Sequence, residues 1–133
     1  NVSSSGMIFD PVGYQKAFND VVPDAIEFFR LPIVASSTFH VDYVINKTSN
    51  GIAVRTGRLH ISINLIGDIT GPTYHIRDDF EYTGDSSVEN ITFSADISDK
   101  NEDGFLETLT LKIQSPEGNG EGTINYSYQS LSQ

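Results

Sequence analysis

The sequence predicts an all-β protein, a jelly-roll-like antiparallel β-sandwich with a short N-terminal helical segment. Two observations predict the sandwich. Apolar and polar residues alternate in five segments of the chain, and turns rich in Gly, Asn and Asp separate those segments. The region before them has a spacing closer to that of a helix. We therefore divide the chain into an N-terminal arm with a short helix, residues 1–30, and a β-sandwich domain, residues 31–133.

The predicted helix lies close to the N-terminus. Asp10 suits the N-cap, and Pro11 suits the first helical position, where no backbone N–H is needed. Apolar residues then recur at a partly helical spacing as far as Pro23, and residues 24–29 are compatible with another short turn. The sequence therefore predicts one to three helical turns in this region.

The strands are predicted from a period of two, which is typical of strands with one face in a core and the other in water. A weaker strand is predicted over residues 74–82. The predicted core consists of residues on the apolar phase of the five clear segments: Val41, Tyr43, Leu59, Ile61, Ile63, Ile91, Phe93, Leu109, Leu111 and Ile124.

Composition excludes several classes of function. The formal net charge is −10, with 18 acidic and 8 basic residues, and the basic residues are scattered along the chain. Because nucleic-acid binding depends on clustered Lys and Arg, we expect no nucleic-acid partner. The chain lacks cysteine, which removes disulfides and thiolate metal sites. No apolar run approaches the length of a membrane span.

An acidic stretch is the sharpest local signal for a ligand. Asp99, Asn101, Asp103 and Glu107 offer oxygen ligands at a spacing that resembles a calcium loop, with a glycine at the sixth position. However, Thr110 occupies the twelfth position, where an EF-hand has a bidentate Glu, and the flanking segments are predicted strands. The alternative is a solvated acidic hairpin without a bound ion. Calcium is the only candidate cofactor.

Two further sets of residues are candidate binding sites. Three histidines, His40, His60 and His75, lie on the polar phase of their strands and would bind a metal if the strands were neighbours. A surface location or a subunit contact is the simpler interpretation. A second set consists of aromatic residues at alternating positions, which suit either the core or a platform for sugar stacking: Tyr74, Phe80, Tyr82, Tyr126 and Tyr128.

Catalysis by carboxylates is not favoured. Glycoside hydrolysis needs two carboxylates across a sugar, and adjacent strand residues such as Asp78 and Asp79 point to opposite faces. Asp79 and Glu81 share a face, but an acidic strand surface is the favoured interpretation of them. No nucleophile elbow, zinc-protease, P-loop or dinucleotide-binding motif is present. We therefore predict that the protein is not an enzyme.

Short signatures in the β-rich part resemble those of a known family. They are RTGRLHI at residues 55–61, DDFEYTG at 78–84, the segment 88–95, a strand over 109–113, and GTINYSY at 122–128. In order and spacing they resemble a β-domain found towards the ends of phage tail-fibre and related virion structural proteins, especially from marine and cyanobacterial phages. Within these signatures Gly57, Gly84 and Gly122 suit turn or bulge positions.

The resemblance implies a virion component that assembles with itself, most often as a trimer, and with other virion proteins. It implies contact with a host-surface glycan or protein through exposed loops. The alternatives are a capsid decoration protein, a carbohydrate-binding or adhesin domain, and a small glycan hydrolase. The apolar N-terminal residues favour self-association, since a small sandwich has difficulty covering all of them: Phe18, Val21, Val22, Ile26, Phe28, Phe29 and Leu31.

Overall fold

The computed structural model describes residues 14–20, 24–32, 36–68, 71–98 and 108–130. Within these ranges the chain forms eight strands and one short 3-10 helix. The strands are β1 (Tyr14–Phe18), β2 (Ile26–Pro32), β3 (Ser36–Lys47), β4 (Ala53–Asp68), β5 (Gly71–Gly84), β6 (Thr92–Ser98), β7 (Thr108–Gln114) and β8 (Gly122–Ser130), and the 3-10 helix is Ser86–Asn90.

The strands form two antiparallel sheets. The larger sheet has five strands in the order β1-β8-β3-β4-β5, and the smaller has three in the order β2-β7-β6. Every neighbouring pair is antiparallel. The prediction of a mainly antiparallel β protein is therefore confirmed.

The prediction of a short N-terminal helix is wrong. Tyr14 to Phe18 form β1, which pairs with β8, and Ile26 to Pro32 form β2, which pairs with β7. Within β1, Tyr14 and Phe18 also fit a period of two, so backbone pairing with β8 overrides a weak local helical pattern. Asp10 and Pro11 lie outside the described residues, and the predicted boundary at residue 30 lies inside β2. Among the described residues no helix is long and apolar enough to cross a membrane.

The core lies on the apolar phase of the strands, as the alternation predicted. Nine of the ten predicted core residues are buried, and the exception, Phe93, is partly buried against the others. Phe18, Phe28 and Phe29 are buried in the same cluster. These three rings had suggested an uncovered surface for self-association, but the chain covers them itself.

Lys47 is a charged residue on the inward phase of β3. Its side chain is only 1 % exposed. The ammonium donates to the carbonyl oxygens of Ser49, Asn50 and Gly51, at distances of 2.7, 2.6 and 2.7 Å. All three of its donors are thereby used, so the turn between β3 and β4 wraps around the charge.

Gly57 lies in the middle of β4, so the turn or bulge role predicted for it is wrong. A Cβ built there would lie 2.6 Å from Tyr43 Oη and 2.8 Å from Phe80 Cβ. The glycine therefore makes room for Tyr43 to reach across the sheet. Gly84, in contrast, has a φ of +102° at the end of β5, which is a turn conformation suited to glycine.

Candidate functional site

The proposed calcium ligands Asp99, Asn101, Asp103 and Glu107 lie outside the described residues. The calcium loop therefore stays a prediction. In the part of the chain that the structure describes, no group of three or more His, Asp or Glu side chains is arranged to hold a metal ion.

The structure brings two of the three histidines together. His40 lies directly opposite His60 across β3 and β4, with ring centroids 4.7 Å apart in a T-shaped contact. His75 lies opposite Ser62 and contacts neither imidazole. His60 Nε2 lies 3.1 Å from Asp79 Oδ2. Partial burial, the Arg58 guanidinium and His60 lower the pKa of His40 below its usual range, against an opposing effect of Asp42.

The two aspartates of β5 are already engaged. Asp78 faces inward, where Oδ2 accepts from Arg55 Nη2 at 2.5 Å and Oδ1 accepts from Tyr43 Oη at 2.8 Å. Burial raises the pKa of Tyr43 well above its usual range. Asp79 faces the other side of the sheet and pairs with Arg77 at 3.0 Å. Asp78 and Asp79 thus lie on opposite faces, as the sequence predicted.

A β-bulge in β2 lies beside a concave surface. Glu27 pairs with Lys112 and Phe29 with Leu111, which leaves Phe28 as an extra residue in the ladder. In a regular strand, Phe28 and Phe29 would point to opposite faces, whereas here both are buried. The bulge thus turns two consecutive phenyl rings towards Tyr126 of β8.

The resulting groove, which we call the aromatic groove, has a volume of about 510 Å³. It lies between β1 and β8 of the larger sheet and the edge strand β2 of the smaller sheet. Five aromatic rings line it: Tyr14, Phe28, Phe29, Tyr126 and Tyr128. Three charged side chains complete the lining: Lys16, Glu27 and Arg30. Binding sites for small ligands commonly have volumes of roughly 300 to 1,000 Å³.

Tyr126 is the fixed centre of the aromatic groove. Its hydroxyl donates to the carbonyl oxygen of Phe28 at 2.5 Å. Its ring meets Phe28 edge-on, with centroids 5.2 Å apart, and Phe29 at 5.4 Å. Burial raises the pKa of Tyr126, and Tyr14 and Tyr128 add to the rise. The phenol therefore stays protonated and keeps its hydrogen bond at neutral pH.

Tyr14 and Tyr128 form the accessible part of the aromatic groove. Their rings are stacked, with centroids 6.4 Å apart, and Tyr14 also stacks on Tyr126 at 5.4 Å. Tyr14 is 48 % exposed and Tyr128 is 43 % exposed. Neither hydroxyl has a hydrogen-bond partner among the described residues. Two flat rings with free hydroxyls are therefore available to a ligand.

The charged side chains differ in how they are partnered. Arg30 Nη2 lies 2.8 Å from Glu27 Oε1, and both side chains are exposed. Lys16 is on the same phase of β1 as Tyr14, and its ammonium makes no ion pair or hydrogen bond within the described part of the chain. The aromatic groove therefore carries one unpaired positive charge in a protein with a net charge of −10.

Sequence reasoning identified only part of this groove. Tyr126 and Tyr128 were among the predicted aromatic candidates, whereas Tyr74, Phe80 and Tyr82 lie on β5, away from it. Tyr14, Phe28 and Phe29 were missed because their region was predicted to be helical. The adjacent Phe28 and Phe29 gave no signal for the bulge that brings them together.

Comparison of the chain with models of protein families, with curated proteins and with solved structures gives no match.

Proposed function

We propose that the chain is a non-catalytic binding module of a phage tail fibre or similar virion appendage, and that the aromatic groove binds a saccharide of the host surface. The observation that carries the proposal is the pair of stacked, exposed tyrosines, Tyr14 and Tyr128, beside the fixed ring of Tyr126. The nonpolar faces of pyranose rings pack on such flat aromatic faces, while phenol hydroxyls bond to sugar hydroxyls. The virion setting rests on the sequence resemblance.

The same proposal includes a two-layered sandwich with a jelly-roll-like strand order. Contacts between the sheets support the two layers: Phe28 of β2 packs on Tyr126 of β8, and Phe93 of β6 packs on Tyr43 of β3 with centroids 5.0 Å apart. The edge strand β2 then forms one wall of the aromatic groove, and β1 and β8 form the other.

The test is binding of the intact protein to a printed array of neutral and acidic oligosaccharides, followed by calorimetric titration of those that bind. Tyr14→Ala and Tyr128→Ala should each weaken binding at least tenfold, since each loses a stacking face. Tyr74→Ala is the matched control, because Tyr74 is 44 % exposed but lies on β5, outside the groove. Absence of any bound saccharide, or equal loss in all three variants, would refute the proposal.

A trimer is a second part of the virion proposal, and it is tested separately. Light scattering of the intact protein at micromolar concentration should give three times the chain mass of 14.6 kDa. A measured mass equal to that of one chain would favour the alternative, a monomeric carbohydrate-binding or adhesin domain. A capsid decoration protein would instead bind isolated capsids and would bind no oligosaccharide on the array.

A further inference from the structure

We infer that the ligand of the aromatic groove is an acidic saccharide, a pyranose that stacks on the tyrosines and pairs its anionic group with Lys16. This inference rests on the proposed function and narrows it to a class of ligand. The observation behind it is the position of an unpartnered ammonium beside a stacking surface.

The position of Lys16 follows from the strand period. Tyr14 and Lys16 are two residues apart on β1, so both side chains leave the same face of the larger sheet. Tyr14 lies opposite Tyr126 and Lys16 opposite Ile124, which places Lys16 two residue pairs further along the ladder, at the next position on the same face. A saccharide on Tyr14 therefore extends its substituents towards Lys16.

The charges elsewhere in the chain make Lys16 distinctive. Arg55, Arg58, Arg77 and Lys112 each pair with an aspartate, and Lys47 is enclosed by backbone carbonyls. Among the described Lys and Arg residues, Lys16 alone has neither an ion pair nor a hydrogen bond. An exposed ammonium without a partner keeps its full capacity to bind an anion.

The charges that line the aromatic groove also favour an acidic saccharide. Arg30 bonds to Glu27 through Nη2. Two cations and one carboxylate line the groove, so its charge is opposite in sign to that of the whole protein. An acidic sugar is thus attracted locally by a protein whose overall charge repels it. The anion is either a carboxylate, as in a uronic acid, or a sulfate ester.

The experiment measures dissociation constants by calorimetry for tetragalacturonate and for the same oligosaccharide with its carboxylates methyl-esterified. At low ionic strength the wild type should bind the acid about tenfold more tightly than the ester, and high salt should remove the difference. Lys16→Met should bring the affinity for the acid down to that for the ester, and leave the affinity for the ester unchanged. A sulfated galactan oligosaccharide is titrated in parallel.

Arg77→Met is the matched control, because it removes one positive charge from the exposed side of β5, outside the groove. It should keep the preference for the acid. A sulfated galactan that binds more tightly than both galacturonates, and depends equally on Lys16, assigns the anion as a sulfate ester. Equal binding of acid and ester, or a preference that survives Lys16→Met, overturns the inference while the proposed function stands. If the array shows no saccharide binding at all, the proposed function itself is wrong.

Discussion

Arg55 Nη2 lies 2.5 Å from Asp78 Oδ2, and the guanidinium is only 2 % exposed. The other two nitrogens also donate: Nε donates to Tyr43 Oη at 3.1 Å, and Nη1 donates to the carbonyl oxygens of Val88 and Ile91 at 2.9 and 2.8 Å. One buried side chain thus joins β3, β4 and β5 to the 3-10 helix and the residue after it.

Removal of Asp78 should be costly, because it leaves the Arg55 charge buried without its counter-ion. We expect Asp78→Ala to lower the free energy of unfolding by about 3 kcal/mol. Asp79→Ala, on the exposed side of the same strand, should change it by less than about 0.5 kcal/mol. Urea denaturation measures both. Equal effects in the two variants would show that Arg55 finds solvent or another partner.

Leu111 tests the packing of the smaller sheet. It is fully buried in the central strand β7, opposite Phe29 on one side and Ala95 on the other. Leu111→Ala should lower the free energy of unfolding by about 2 to 5 kcal/mol, since it leaves a cavity between both neighbours. Ile52→Ala is the control, because Ile52 is 74 % exposed, and there a change below about 0.5 kcal/mol is expected. A small effect of Leu111→Ala would contradict the single shared core.

Much of the fold was predictable from the phase of the strands. In β3, Phe39, Val41, Tyr43 and Ile45 recur at every second position, and the structure buries all four. The same strand phase also predicts which charged residues face inward. Lys47 follows Ile45 by two positions, and Arg55 precedes Leu59 by four, so both belong to the inward face.

The parts of the fold and of the site that were not predicted depend on contacts between distant parts of the chain. The five residues of β1 are compatible with a helix or a strand, and backbone pairing with β8 selects the strand. The bulge at Phe28 depends on how β2 pairs with β7, which has no local signature. The aromatic groove combines residues from both ends of the chain, so its position could not be derived before the topology was known.

The His40 and His60 contact predicts a pH dependence. Because the pKa of His40 is lower in the folded protein than its usual value of 6.5, the unfolded chain binds more protons between the two values. Stability should therefore fall as the pH decreases through 6.5 and level off below the folded pKa. Stability curves at several pH values measure this slope. His40→Gln should flatten it, and Arg58→Gln should reduce it by removing a charge that disfavours protonation. An unchanged slope in His40→Gln would contradict the assignment.

The acidic stretch with Asp99, Asn101, Asp103 and Glu107 predicts stabilisation by calcium. An ion bound only by the folded chain raises the free energy of unfolding by roughly 2.7 kcal/mol at a hundredfold excess over Kd. Melting curves with millimolar calcium and with a chelator should differ for the wild type and coincide for Asp103→Ala. Magnesium should have less effect, because it retains its water more strongly. Identical wild-type curves would favour a solvated hairpin.

The enclosure of Lys47 by Ser49, Asn50 and Gly51 makes its amine a chemical reporter. Acylating reagents need a free lone pair on nitrogen and room to approach it, and the folded turn provides neither. Lys16 should acylate quickly, whereas Lys47 should react only during local opening of the β3–β4 turn. Its labelling rate, followed by mass spectrometry, then equals the intrinsic rate multiplied by the open fraction. A single residue thereby gives the opening equilibrium of one hairpin, independently of unfolding of the whole chain.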